Sequence, residues 1–105
     1  MSAMKVYISG KITGTTDYME RFDEAERKLK VQGFEVVNPA RENAKLPADK
    51  TSWRQYMGES LKMLMECDAI YPLPDWVESK GARIEIAVAD RTGMAFIYDT
   101  FKEVR

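Results

Sequence analysis

The stretch Lys5-Val6-Tyr7-Ile8-Ser9-Gly10-Lys11-Ile12-Thr13-Gly14-Thr15-Thr16-Asp17-Tyr18 passes from an apolar run, through a loop rich in glycine and hydroxyls, into a helix start. Lys5 to Ile8 reads as a short buried strand, and Ser9 to Thr16 as the loop that leaves it. Asp17 followed by Glu20 is a capping-box pattern. Beyond it Tyr18, Phe22, Ala25 and Leu29 recur at helical spacing, while Glu20, Arg21, Asp23, Glu24, Arg27 and Lys28 form the outer face. Gly33 is placed to end this helix, and Phe34 to Val37 is a second strand stopped by Asn38-Pro39.

The alternation continues. Residues 38–51 are polar, carry two prolines and have no clear period, so they read as a long loop. Ser52 with Gln55 forms a second capping box, and the helix it opens has Trp53, Met57, Ser60, Leu61 and Leu64 on its inner stripe. Asp68 to Tyr71 is the third strand, followed by a turn from Pro72 to Glu78. Ser79 caps a third helix running from about Lys80 to Arg91, and Gly93 precedes a fourth strand, Met94 to Tyr98. A short charged tail is expected to form a last half-turn. The order β-α-β-α-β-α-β implies parallel pairing through crossovers, with helices on both faces. We therefore expect an α/β, flavodoxin-like or Rossmann-like three-layer sandwich of about four strands in the order 2-1-3-4. The loops after strands one, two and three then meet beside the switch point where open α/β sheets collect ligands.

The chain has 105 residues, which is one domain, and its 16 basic and 17 acidic residues leave a net charge of −1. That balance gives no whole-chain attraction to nucleic acid or to an anionic membrane. No run approaches the roughly 20 apolar residues of a membrane span, and the start lacks the pattern of a signal peptide. A soluble cytoplasmic protein is the expectation. Zero histidines and a single cysteine, Cys67, exclude a Ser-His-Asp or Cys-His nucleophile, a histidine zinc site and an internal disulfide. Any acid or base must be a carboxylate, a tyrosine or a lysine. No metal or cofactor is expected.

Within those limits a few residues stand out. Gly10, Lys11, Ile12 and Thr13, with Gly14 and the hydroxyls of Ser9, Thr15 and Thr16, form a plausible phosphate cradle ahead of a helix N-terminus. The spacing is neither a Walker loop nor G-x-G-x-x-G, and the alternative is an ordinary strand-to-helix turn. Glu85 sits in the nearly apolar stretch Ala82-Arg83-Ile84-Glu85-Ile86-Ala87-Val88-Ala89, without an ion partner three or four residues away. It must face solvent, pair across the fold or serve a site. Ser79 and Gly81 begin the same helix, where a structural cap and a second anion contact are both open readings. The Tyr7 hydroxyl can reach the same crevice. Trp76 either stacks on a base or closes its loop over the core, and Asn38 either reads a ligand or starts a turn.

Tyr7-Ile8-Ser9-Gly10-Lys11-Ile12-Thr13-Gly14, the Asn38-Pro39 turn, Cys67-Asp68, and Leu73-Pro74-Asp75-Trp76-x-x-Ser79-Lys80-Gly81-Ala82-Arg83-Ile84-Glu85 occur in that order. Over nearly its whole length the chain thereby resembles the nucleoside 2-deoxyribosyltransferase-like superfamily, and within it a branch of small bacterial and phage proteins. The resemblance implies attack on an N-glycosidic bond. Glu85 would be the nucleophile at C1′ and Tyr7 its orienter, giving a covalent glycosyl-enzyme that water or a second base resolves. It further implies phosphate contacts at Ser79 and at Gly10, Lys11, Ile12 and Thr13, hence a nucleoside 5′-monophosphate. Relatives acting on free nucleosides carry aspartate where Ser79 stands. Asn38, Asp75 and Trp76 would lie near base or sugar. One departure concerns Ser60, which occupies the place of the aspartate that helps protonate the leaving base. Glu59 or Asp75 would take that role, or the chain binds nucleotides without cleaving them. NAD-type substrates share the bond type. A homodimer or higher homo-oligomer is the expected assembly.

Overall fold

A computed structural model describes residues 3–98. Strand β1 (Lys5–Ser9) leads to helix α1 (Tyr18–Val31), and strand β2 (Glu35–Val37) to helices α2 (Pro39–Asn43) and α3 (Trp53–Met65). Strand β3 (Ala69–Pro72) is followed by a 3-10 turn, Trp76–Glu78, then helix α4 (Lys80–Arg91) and strand β4 (Ala95–Phe96). The four strands form one parallel sheet in the order β2-β1-β3-β4, the flavodoxin-like order expected from the alternation.

The pleat of β1 and β3 divides the core into two layers. Val6 and Ile8, with Ala69 and Tyr71, pack against Phe22, Ala25 and Leu29 of α1. Tyr7 and Ile70 face the other way, onto Leu64 of α3 and Ala89 of α4. Helices thus cover both faces. Burying a large apolar side chain stabilises by about 1.5–3 kcal/mol. β1 is the best covered strand, since Val6, Tyr7, Ile8 and Ser9 are all fully buried. Gly33, at φ +95, ends α1 in a left-handed conformation that a side chain would resist.

Three local readings change. Asp17 stands at the N-cap of α1 without a side-chain cap bond; its carboxylate instead accepts from Arg21 Nε at 3.2 Å. The competing cation outweighs the local box. The Ser52–Gln55 capping box, by contrast, is formed in both directions. Residues 38–51 are not wholly loop, because Asn38 accepts from the Arg41 N–H and Pro39 occupies the first turn of α2. The fourth strand is shorter than Met94 to Tyr98, although the Ile97 N–H still donates to Ile70 O at 2.9 Å. The expected tail half-turn lies outside the described residues. Among those described, no helix is long and apolar enough to cross a membrane.

Candidate active site

The loops after β1, β2 and β3 meet around a cavity of about 750 Å³. Its wall is built by the first loop from Gly10 to Thr13, by α2, by Trp53, Met57 and Ser60 of α3, and by the start of α4. Tyr7 and Glu85 line it from β1 and α4.

Glu85 is the only carboxylate in the apolar stretch of α4, and it is 7% exposed. It pairs across the fold with β1. Tyr7 Oη donates to Oε2 at 2.6 Å, and Ser9 Oγ donates to Oε1 at 2.6 Å. Residues two apart on a strand share a face, so Tyr7 and Ser9 present both hydroxyls to one carboxyl group. Burial pushes the Glu85 pKa up to about 7, and the two donated bonds act against that rise. Burial and the neighbouring Glu85 charge hold the Tyr7 hydroxyl well above its ordinary value, so it remains a donor. Among the described residues no cation is hydrogen-bonded to Glu85; its partners there are two hydroxyls at the edge of a cavity.

The first loop is shaped by a turn in which the Thr15 N–H donates to Ile12 O at 3.2 Å, with Gly14 at φ +84. Gly10 answers a different need. A Cβ there would lie 2.6 Å from Leu73 Cδ1, so only glycine lets this loop approach the segment after β3. Lys11 lines the cavity, and its Nζ stands 3.4 Å from Glu78 Oε1, also on the wall. Opposite, Ser79 Oγ caps α4 by accepting from the Ala82 N–H at 3.1 Å, which leaves its own hydrogen for a ligand. The N–H groups of Lys80 and Gly81 lie in the first turn, where no intrahelical acceptor exists. Hydroxyl, amides and a lysine therefore border the cavity together, as an anion requires. Among the described residues no group of three cysteine, aspartate or glutamate side chains is arranged to hold a metal ion.

Twelve residues read from the sequence can be placed. Glu85, Tyr7, Gly10, Lys11, Ile12, Thr13, Ser60, Ser79 and Gly81 all line the cavity, whereas Asn38, Asp75 and Trp76 do not. Asn38 is turned into the protein, donating to Asp23 Oδ1 and Glu26 Oε1 while it caps α2. Asp75 accepts from Arg21 Nη1 at 2.6 Å and from the Lys11 N–H at 3.2 Å. Its carboxylate is thereby occupied in bracing the first loop. Arg21, read as part of an outer face, is the other half of that brace and also donates to Lys11 O at 2.8 Å. Glu59 is exposed and off the cavity wall.

Ser9, read as a loop hydroxyl of the phosphate cradle, instead ends β1 and donates to the Glu85 carboxylate, because it shares the face of Tyr7 two residues before it. Asn43, at the end of α2, lines the cavity and donates to Ser60 Oγ at 2.9 Å. Trp53 also lines the cavity, with Lys80 Nζ 5.6 Å from its ring centre, so the tryptophan on the cavity wall is Trp53 and not Trp76.

A family model described as Domain of unknown function (DUF4406) matches residues 4–98. The chain belongs to the DUF4406 family. No curated protein matches it. The matched span of this DUF4406 chain holds every residue of the cavity described above, from Tyr7 to Glu85.

Proposed function

We propose that this protein is a nucleotide N-glycosidase or deoxyribosyltransferase-like enzyme, cleaving the base–sugar bond of a nucleoside or deoxynucleoside 5′-monophosphate through Glu85. Kinship with the nucleoside 2-deoxyribosyltransferase-like superfamily is part of this proposal. The observation that carries it is a single buried carboxylate, held by two 2.6 Å hydrogen bonds, at a cavity whose rim also presents Lys11, Ser79 and the first amides of α4.

The chemistry follows from that arrangement. A pKa of about 7 leaves a substantial ionised fraction at neutral pH, and burial makes the anion a better nucleophile than a solvated carboxylate. Tyr7 and Ser9 fix both oxygens, so attack needs little reorganisation. A Glu85 oxygen forms the bond to C1′ as the C1′–N bond breaks, and the base departs with the electron pair and takes a proton from solvent. Water then forms its bond to C1′ as the C1′–O bond to Glu85 breaks, its proton passing to solvent, so that the carboxylate is regenerated and sugar phosphate is released; a second base in place of water gives transfer. Ser79, Gly81 and Lys11 would hold the phosphate. A homo-oligomer in the cytoplasm belongs to the same reading.

Ser60 favours a second reading, a nucleotide-binding module without cleavage. Its hydroxyl already accepts from Asn43, and serine is a weak proton donor for a departing base. Incubation with a panel of ribo- and deoxynucleoside monophosphates and pyridinium nucleotides, followed by chromatography for free base, tests both. We expect release by the parent and at least a hundredfold less, as an order of magnitude, by Glu85→Ala. Thermal stabilisation by a nucleotide without release would select the binding module.

A further inference from the structure

The first loop is fastened along its start to the segment that follows β3. The Leu73 N–H donates to Ser9 O at 2.7 Å, and Gly10 has no room for a Cβ beside the Leu73 side chain. One residue on, the Lys11 backbone is gripped on both sides. Its N–H donates to Asp75 Oδ1 at 3.2 Å, and its carbonyl accepts from Arg21 Nη2 at 2.8 Å. Arg21 Nη1 closes the ring onto Asp75 Oδ2 at 2.6 Å, and the two side chains are only 26% and 25% exposed. We propose that Arg21 and Asp75 are positioning residues that hold Lys11 across from Ser79, and that this clamp gives the site its preference for a phosphorylated substrate over the free nucleoside. It rests on the nucleotide reading above, with the phosphate at the rim formed by Lys11 and Ser79.

Neither residue lines the cavity, yet both reach its rim through the backbone. The Asp75 carbonyl accepts from the Glu78 N–H at 3.0 Å, inside the 3-10 turn whose next residue is Ser79. One residue therefore ties Lys11 to the turn that leads into α4. Arg21 is fixed in turn, since its Nε donates to Asp17 Oδ1 at 3.2 Å and its Nη2 to Thr15 Oγ1 at 3.4 Å. A planar guanidinium with five donors serves these acceptors at once, whereas a lysine ammonium is a single point of charge. Phosphate needs donors converging from separate elements, so an error in the spacing of Lys11 and Ser79 weakens binding. A purely electrostatic role has the opposite sign for Asp75. Its negative charge stands close to the rim, so by Coulomb interaction alone its removal would tighten anion binding. As half of a clamp, its removal loosens binding.

The test sets these signs against each other. Inorganic phosphate is titrated into the parent, Asp75→Ala and Arg21→Lys, and affinity is read from amide chemical shifts of the rim residues 10–13 and 79–81. Both variants are expected to bind about fivefold more weakly, the first although it loses a negative charge and the second although it keeps a positive one. Phosphate bound by Asp75→Ala as tightly as by the parent, or more tightly, overturns the proposal. If Asp75→Ala fails to fold, Arg21→Lys decides, and an affinity within about twofold of the parent overturns it. Base release is measured alongside, with a nucleoside 5′-monophosphate and the matching free nucleoside. Asp75→Ala is expected to raise KM about fivefold for the monophosphate, with kcat kept and the free nucleoside unaffected. Weaker phosphate binding in the variants with no base released by the parent keeps the clamp and removes the glycosidase. Base release with unaltered phosphate affinity in Asp75→Ala removes only the clamp. A parent whose rim amides do not respond to phosphate overturns the clamp outright, and base release then judges the glycosidase alone.

Discussion

Glu85 is a buried acid whose partners are the Tyr7 and Ser9 hydroxyls, and that has a thermodynamic sign. Its pKa is about 7 in the folded protein against an ordinary 4.5, so the folded state holds the proton more tightly than the unfolded chain. The resulting stability is fully present below about pH 4.5 and is lost as pH rises through about 7. Glu85→Gln removes the titration. Denaturant unfolding at pH 5 and pH 8 should therefore show the variant gaining on the parent at the higher pH, by up to about 3 kcal/mol. An unchanged difference between the two pH values would contradict the raised pKa. Cys67 needs no such treatment, because burial pushes its thiol up to about 11 and it stays protonated.

At the scale of elements, α2 joins the scaffold to the site. Asn38 fixes its start and bonds Glu26 of α1, while Asn43 at its end reaches Ser60. Asn38→Ala removes the cap and one donor to a buried carboxylate, and should cost about 2 kcal/mol in denaturant unfolding. A cost near zero would mean that α2 is held by packing alone. The alternation of strands and helices was legible because β1, α1, α3 and α4 each carry a period long enough to read. Helix α2 was not, since five residues show no period and Asn-Pro suits a turn equally well. Asp17 and Glu20 misled for a related reason: a cap motif is local, and Arg21 offered its aspartate a charged partner. In the site, Glu85 was conspicuous as a charge in an apolar run. The inward turn of Asn38 and the bracing of Asp75 depend on α1, which no local pattern around those residues reveals.

Across the whole molecule, a net charge of −1 produces little long-range pull on an anionic ligand. Attraction has to be local, and at the cavity Lys11 is shared with Glu78 at 3.4 Å. Both side chains retain solvent contact, so the pair is weak and can open. Titration with inorganic phosphate, followed by amide chemical shifts, should show binding about tenfold weaker in Lys11→Ala and about threefold tighter in Glu78→Gln. Equal affinities in all three proteins would move the anion away from Lys11. The bond from Tyr7 to Glu85 has a consequence in time as well as in space. It joins positions 78 apart, so it can close only when β1 and α4 have docked on the same sheet. Between about pH 4.5 and pH 7 the unfolded chain carries this group ionised and the folded protein carries it protonated. In that window, completing the fold draws a proton from solution, and the uptake marks the moment when the cavity comes into being.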